Sequence, residues 1–331
     1  CHGDVLLSST GFKCESAINA NLNKCFPCGF LFIPIQFKIV VFNSIYIYNC
    51  TISNNFYRSS EMHNKQIDSF ELLPKATLEE HPQFASTLGN GLDVLQCFTP
   101  SSLTLSNKEI SEKLGLAKPT ISRLTFTLVA MGFLCRDKST GRYSLGPGVL
   151  TLGYPLLIQL NIREIAAQDM IELSKIVKGP VSLGIRDRLQ VVYIETTYNR
   201  YRSNAHPDIG SARPLLSTAI GRALLYTNTK SELELILDKL HIDKIDEWQK
   251  FHEKLSKSFE EIQQKGFCTS YGEWRPNLYG IAVPFKNKIN GQNLAMNITV
   301  PAHQADKNQI ENEFGPRLVD VVQNLQSKVG G

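Results

Sequence analysis

The stretch Leu105–Leu124, LSNKEISEKLGLAKPTISRL, decides how the first half of this chain folds. Ser106-Asn107-Lys108-Glu109 has the S-x-x-E spacing of a capping box, in which the serine and the glutamate each satisfy a backbone N–H left free at a helix start. Ile110 and Leu114 are four residues apart and share one helix face, and Gly115 supplies the left-handed residue that ends it. After two intervening residues Lys118-Pro119-Thr120 opens a second helix. Proline is tolerated at the first helical position because the N–H there has no partner anyway. Ile121, Leu124, Leu128 and Met131 fall at offsets 0, 3, 7 and 10, one apolar stripe. The opposite face carries Lys118, Thr120, Ser122 and Arg123. Two helices joined by a tight glycine turn, the second with an apolar back and a polar, basic front, make a helix-turn-helix pattern, and the surface such a helix meets is duplex DNA. The free N–H groups at its start point toward a phosphate.

Reading outward, Leu92, Leu95 and Phe98 predict a preceding helix that ends at Thr99-Pro100, since proline cannot continue the ladder. After the pair, Phe133-Leu134-Cys135 and Tyr143-Ser144-Leu145 predict a hairpin turned at Gly141. A basic hairpin in this place is a wing, with Lys138 and Arg142 as candidates for phosphate contacts that anchor without reading sequence. Between Ser106 and Leu145 seven Lys and Arg stand against three Asp and Glu, an excess equal to the formal +4 of the whole chain. Local surplus is what an anion meets.

The chain has 331 residues, 42% hydrophobic and 20% charged, ordinary values for about two globular domains. Leu145 to Leu160 is largely apolar and predicts a connecting helix that Pro155 should kink or split. Beyond it, strand-like runs at 181–185, 191–196, 281–285 and 294–299 alternate with helical stretches at 163–177, 219–226, 252–265 and 317–329, an α/β or α+β second domain. The expected division is an extension at 1–61, a mobile arm at 62–84, a winged helix-turn-helix at 85–147, a linker helix at 148–164 and an effector domain at 165–331.

Five of the eight cysteines fall within the first fifty residues. Three readings compete for residues 1–61: a metal or redox clip at Cys25-x-x-Cys28, aided by Cys14 or Cys50; a membrane-associating extension; or no native segment. The third is preferred, because the first methionine is Met62 and the stretch before it lacks a helical or alternating period. Pro27, Pro34, Gln36, Lys38 and Asn43 interrupt any run long enough to span a bilayer. The scattered single thiols of the remainder suit a reducing cytoplasm.

An enzyme is the alternative, an unrecognised hydrolase built on the second domain. No phosphate loop, H-E-x-x-H or G-x-S-x-G occurs, and His206, His241, His252 and His303 sit apart. Glu273 beside Trp274 resembles a catalytic carboxylate against an aromatic wall, yet a loop at a pocket rim explains it better. No metal or cofactor is expected.

In the first half "TLGNGLDVLQCF", "LSNKEISEKLGLAKPTISRLTFTLVAMGFL" and "GRYSLGPGVLTLGY" follow one another. The second half adds "VSLGIRDRLQVVYIE", "IGSARPLLSTAIGRALL", "GFCTSYGEWRPNLYGIAVPF" and "LAMNITVP". Over Thr87 to Pro301 these blocks resemble the IclR-type family of bacterial transcription regulators. The resemblance implies an α+β chain: a winged helix-turn-helix, a linker helix and a GAF-like effector domain binding a small carboxylate-bearing or aromatic metabolite. It also implies a homodimer or homotetramer on double-stranded palindromic DNA, away from membranes. On this reading Thr120, Ser122 and Arg123 face base edges, and Lys118 and Pro119 sit at the phosphate-binding helix start. The effector positions fall on Thr218, Ala219, Ile220, Gly221, Ser270, Gly280, Asn297 and Thr299, where the N-terminus of the "STAIGRA" helix can hold a carboxylate. Ser270, Gly280 and Ile220 depart from the small-acid type, which argues against a glyoxylate- or pyruvate-like ligand. Arg213, Arg222 and Arg275 are candidate anion partners, each with a structural ion pair as the plainer reading.

Overall fold

The computed structural model describes residues 35–41, 44–50, 78–197 and 208–329. The chain divides into two compact units, Cys1–Lys65 and Gln66–Gly331. In the first, β1 (Ile35–Val41) and β2 (Ser44–Cys50) pair antiparallel, with Ile35 opposite Cys50 and Val41 opposite Ser44. No regular element was expected there. Ile35, Phe37 and Ile39 do alternate with Gln36 and Lys38, a short strand period that the apolar run after it obscured. Cys14, Cys25, Cys28 and residues 62–77 of the expected arm lie outside the described residues.

The second unit opens with α1 (Ser86–Gln96), α2 (Asn107–Leu114) and α3 (Lys118–Ala130), followed by the hairpin β3 (Leu134–Arg136) and β4 (Tyr143–Leu145). Val94, Ile110, Ile121, Leu124, Leu134 and Tyr143 meet in one core. Two expected core residues stand outside it. Leu92 is 50% exposed because the buried face of α1 is carried by Val94, and Met131 is 63% exposed because α3 has ended before it and Gly132 turns the chain away. The predicted stop of the first helix comes early as well, at Gln96.

Helix α4 (Gly148–Gln159) continues through Pro155, so the chain is not split there, and none of its residues is buried. The break comes at Leu160, where φ −86° and ψ 66° leave the helical region before α5 (Ile162–Val177) begins.

The remaining strands are β5 (Val181–Asp187), β6 (Gln190–Thr196), β7 (Ala212–Pro214), β8 (Cys268–Tyr271), β9 (Leu278–Pro284) and β10 (Leu294–Pro301). They form one sheet in the order β7-β6-β5-β10-β9-β8, antiparallel at every pairing, so this domain is α+β. Side chains alternate across it: Leu294, Met296 and Ile298 enter the core shared with α5 and with Leu318, Val322 and Leu325 near the C-terminus, while Ala295 lies in the core of the other face, with Ala219 and Ala223. Four helices cover this second face: α6 (Ala219–Tyr226), α7 (Lys230–Asp243), α8 (Ile245–Phe251) and α9 (Glu253–Lys265). A short α10 (Lys307–Gln309) and a π-helical turn at Ile310–Phe314 lead into α11 (Gly315–Val329).

One irregularity positions the pocket described below. Leu183 pairs with Glu195 but Gly184 pairs with Tyr193, so Ile194 is an extra residue in β6. Such a bulge re-aims its neighbours. Tyr193 joins the core of the α6 face, whereas Ile194 joins the core on the α5 face.

Candidate functional sites

The turn between α2 and α3 is held from both sides. Ser106 accepts from the Glu109 N–H and Glu109 from the Ser106 N–H, completing the expected capping box, and Gly115 adopts φ 68° at the other end. Asn107, which the sequence reading passed over, ties the pair together: its Nδ2 donates to Ser122 Oγ (3.2 Å) and its Oδ1 accepts from buried Thr125 (3.2 Å). Lys118 is the first residue of α3 and Pro119 the second, one position later than expected. With Pro119 lacking an N–H and Ile121 N already bonded to Ala117 O, the backbone N–H groups of Lys118 and Thr120 remain for an outside acceptor.

Lys118, Pro119, Thr120, Ser122 and Arg123 are all exposed. Among the described residues no carboxylate pairs with Lys118, Arg123 or Lys138. Arg142 differs. It donates to Thr104 Oγ1 and O (3.1 and 2.8 Å) and pairs with Glu109 (2.9 Å), so its guanidinium fastens the wing to the start of α2 instead of standing free for phosphate. The Ser106 hydrogen bonds and the Arg142 contact hold the Glu109 pKa down at about 2. In the wing, Asp137 accepts from Ser139 N and Oγ (both 2.7 Å), while Arg136 lies over the Tyr143 ring, 5.9 Å from its centroid.

The second site is a pocket of ≈ 460 Å³, counted with its open side, between the sheet and α6. Of the predicted effector positions it is lined by Thr218, Ala219, Ile220, Ser270, Asn297 and Thr299, and by Gly280. Gly221 does not line it. A Cβ there would lie 2.2 Å from Leu215 O, so this glycine allows close packing, and its N–H is taken by the Thr218 cap (3.1 Å). Gly280 is the reverse case: a Cβ would meet only Ala219 and Ser270 at 3.6 and 3.8 Å, so the missing side chain leaves usable room.

The structure adds Tyr193, Trp274 and Tyr279 to the wall, together with Arg213 and Arg275. It removes Arg222, which is 1% exposed and donates to Leu216 O, Thr269 O and Glu273 Oε2 at 2.7, 2.7 and 3.0 Å. Lys254 holds the other oxygen of Glu273 at 2.9 Å. Burial raises the Glu273 pKa, but Arg222, Ser270 and Lys254 outweigh it and leave the group lowered, an ionised strut and not an acid. Glu247 on α8 was also missed: it accepts from Leu216 N and Ser217 N (2.8 and 3.0 Å) and so shapes the loop that starts α6. No local motif marks it, because its partners are about thirty residues away. His241 and His252 come together only around Trp248, with ring centroids 5.2 and 5.0 Å from it, and neither lines the pocket. Among the described residues no group of three or more potential ligands is placed to hold a metal, and no helix is long and apolar enough to cross a membrane.

Residues 87–138 match the family model "IclR helix-turn-helix domain", and residues 155–327 match "Bacterial transcriptional regulator IclR C-terminal". The chain is 28% identical to the HTH-type transcriptional regulator TsaQ1/TsaQ2 of Comamonas testosteroni, over 77% of this chain and 92% of that protein. It is similar to the crystal structure of an IclR family transcriptional regulator from Brucella abortus, with 36% identity, TM-score 0.71 and coverage of 78% and 97%. An IclR homolog from Microbacterium hydrocarbonoxydans, crystallised with 4-hydroxybenzoate, shares the fold at 18% identity and TM-score 0.58, over 74% and 98% of the two chains.

Proposed function

This chain belongs to the IclR family of helix-turn-helix transcription regulators, and on that premise we propose that α3 reads an operator while a small effector in the sheet–α6 pocket controls binding. The observation that carries the DNA reading is the start of α3. There two backbone N–H groups without a helical partner and exposed Lys118, Thr120, Ser122 and Arg123 share one surface, with no carboxylate among the described residues to neutralise it. Lys118 and Lys138 hold phosphates and Arg123, with Thr120 and Ser122, meets base edges, since arginine can pair bidentately with guanine. Arg142 acts from behind, by fixing the wing.

One short recognition helix reads few base pairs, so the working form is a dimer or a multiple of it. Helix α4 supports this. It is apolar all round, yet Leu150, Leu152, Tyr154 and Ile158 are each more than 60% exposed. A helix apolar on every side belongs in a core. Each such side chain covered by a second copy contributes about 1.5–3 kcal/mol before the cost of association.

The pocket reaches α4 through β6. Arg163 pairs with Glu195 (2.9 Å), which the bulge separates in facing from pocket-lining Tyr193, and it also donates to Leu157 O of α4 (3.2 Å). Asn290 donates to Gln159 O. An effector that favours one setting of β6 thereby favours one angle at Leu160, and so one spacing of the two heads; a ligand indifferent to the two settings shifts nothing.

Fluorescence anisotropy of the full chain on duplex from immediately upstream of its own gene, beside scrambled duplex, tests the DNA reading. Preference for the upstream duplex is expected. Equal or absent binding to both refutes it.

A further inference from the structure

Among the described residues the pocket wall holds two charged side chains, Arg213 and Arg275, and no carboxylate. Both guanidiniums lie against the Trp274 ring, 4.7 and 4.5 Å from its centroid, and Arg213 also lies 5.5 Å from that of Tyr193. The nearby acids are committed elsewhere: Glu273 to Arg222 and Lys254, Glu247 to the backbone of Leu216 and Ser217. Burial first, and the neighbouring charge of Arg275 after it, lower the Arg213 pKa. Two like charges on one aromatic ring, part-shielded from water, favour an anion beside them.

Asn297 also faces the pocket, from β10. It is 4% exposed; its Nδ2 donates to Thr299 Oγ1 (3.1 Å), while its Oδ1 has no partner among the described residues. A buried acceptor left unpaired is costly, so a ligand that donates to it is favoured over one that does not. Tyr193 beside it stays neutral, since burial pushes its pKa up to about 12.

We infer that Arg213 and Arg275 form an anion subsite on the Trp274 ring, and that the effector is a small hydroxy acid bound with its carboxylate there and its hydroxyl donating to Asn297 Oδ1. The inference rests on the reading of this pocket as the effector site. It reverses the orientation expected from the sequence, in which the carboxylate sits at the start of α6. That helix end offers backbone dipoles but no charge, and Thr218 already takes the Gly221 N–H; the guanidiniums give charge-assisted bonds.

Isothermal titration of the full chain tests it with four probes. 4-Hydroxybenzoate and 5-hydroxypentanoate carry both groups, benzoate lacks the hydroxyl, and 4-hydroxybenzamide lacks the charge. At least one hydroxy acid should bind, and 4-hydroxybenzoate, if it is that one, at least tenfold more tightly than benzoate or the amide. Arg213→Gln with Arg275→Gln should erase the preference for acid over amide, and Asn297→Leu the preference for hydroxyl over hydrogen. Both readouts are ratios within one variant, so a general loss of stability does not imitate them. Acid preference that survives the arginine substitutions overturns the subsite. Absence of binding by either hydroxy acid overturns the ligand class. Gly280→Leu separates the two levels: if it abolishes binding of any probe, the pocket reading stands whatever the orientation, and if bound probes ignore it, the pocket reading falls as well.

Discussion

Lys118→Ala gives the sharpest test of the DNA-facing surface, because it separates anchoring from reading. Each head presents two exposed cations assigned to phosphates, Lys118 and Lys138, neither paired with a carboxylate among the described residues; a pair of heads therefore presents four. If each neutralises one phosphate, the logarithm of the binding constant falls with the logarithm of salt at a slope of about −4, roughly a hundredfold loss between about 50 and 200 mM. Lys118→Ala removes two of the four, so the slope should flatten by about 2 and the loss shrink to the order of tenfold. Affinity should drop equally on operator and scrambled duplex. Arg123→Ala should instead erode the difference between the two duplexes, by about 1–3 kcal/mol for each guanine it reads. Anisotropy titrations at four salt concentrations measure both quantities. An unchanged slope in Lys118→Ala, or a uniform loss in Arg123→Ala, refutes the assignment of roles.

Arg222→Met should destabilise the effector domain by about 3 kcal/mol in urea unfolding, the low end for breaking a buried pair, because Lys254 still accompanies Glu273. Gly221→Ala should cost about 1–3 kcal/mol in the same assay, since its Cβ would stand 2.2 Å from Leu215 O. The Glu109 pKa of about 2 lies below its ordinary 4.5, so its contribution is complete above pH 4.5 and is lost as pH falls toward 2; Glu109→Gln should remove that acid dependence from amide exchange of the wing. Leu152→Asp with Ile158→Asp should turn the assembly into monomers by light scattering, without altering the far-ultraviolet spectrum.

The helix-turn-helix was legible because its determinants are local. A capping box spans four residues, a glycine stop is one residue, and an apolar stripe repeats within a few turns, so Ser106–Glu109, Gly115 and Ile121–Leu128 carry their reading with them. The same kind of signal lay unused at Thr229 and Glu232, a second capping box that opens α7. Misreadings came where a local rule met a tertiary fact: Leu92 has the right spacing, but the face of α1 is set by what α2 and α3 leave uncovered.

The pocket was partly legible, through the order of its blocks and not through chemistry visible in any of them. Thr218, Ala219, Ile220, Ser270, Gly280, Asn297 and Thr299 line one pocket. The charges did not sort themselves. Arg142, Arg213, Arg222 and Arg275 are equivalent letters in a sequence, and what distinguishes them is which carboxylate comes within reach.

Sequence alone was enough for the elements of the helix-turn-helix, their order and the polar front of α3, because hydrogen bonding along a helix depends on neighbours within a few residues. Tertiary structure alone assigned Arg142 to the wing, Arg222 to Glu273, and Arg213 and Arg275 to an aromatic wall without an acid among the described residues. It also left α4 bare and placed Asn297, whose Oδ1 has no partner among the described residues, on the pocket wall. Coulombic and packing energies depend on distance in space, and residues 38 or 51 positions apart, as Thr104–Arg142 and Arg222–Glu273 are, become neighbours only when the chain has folded.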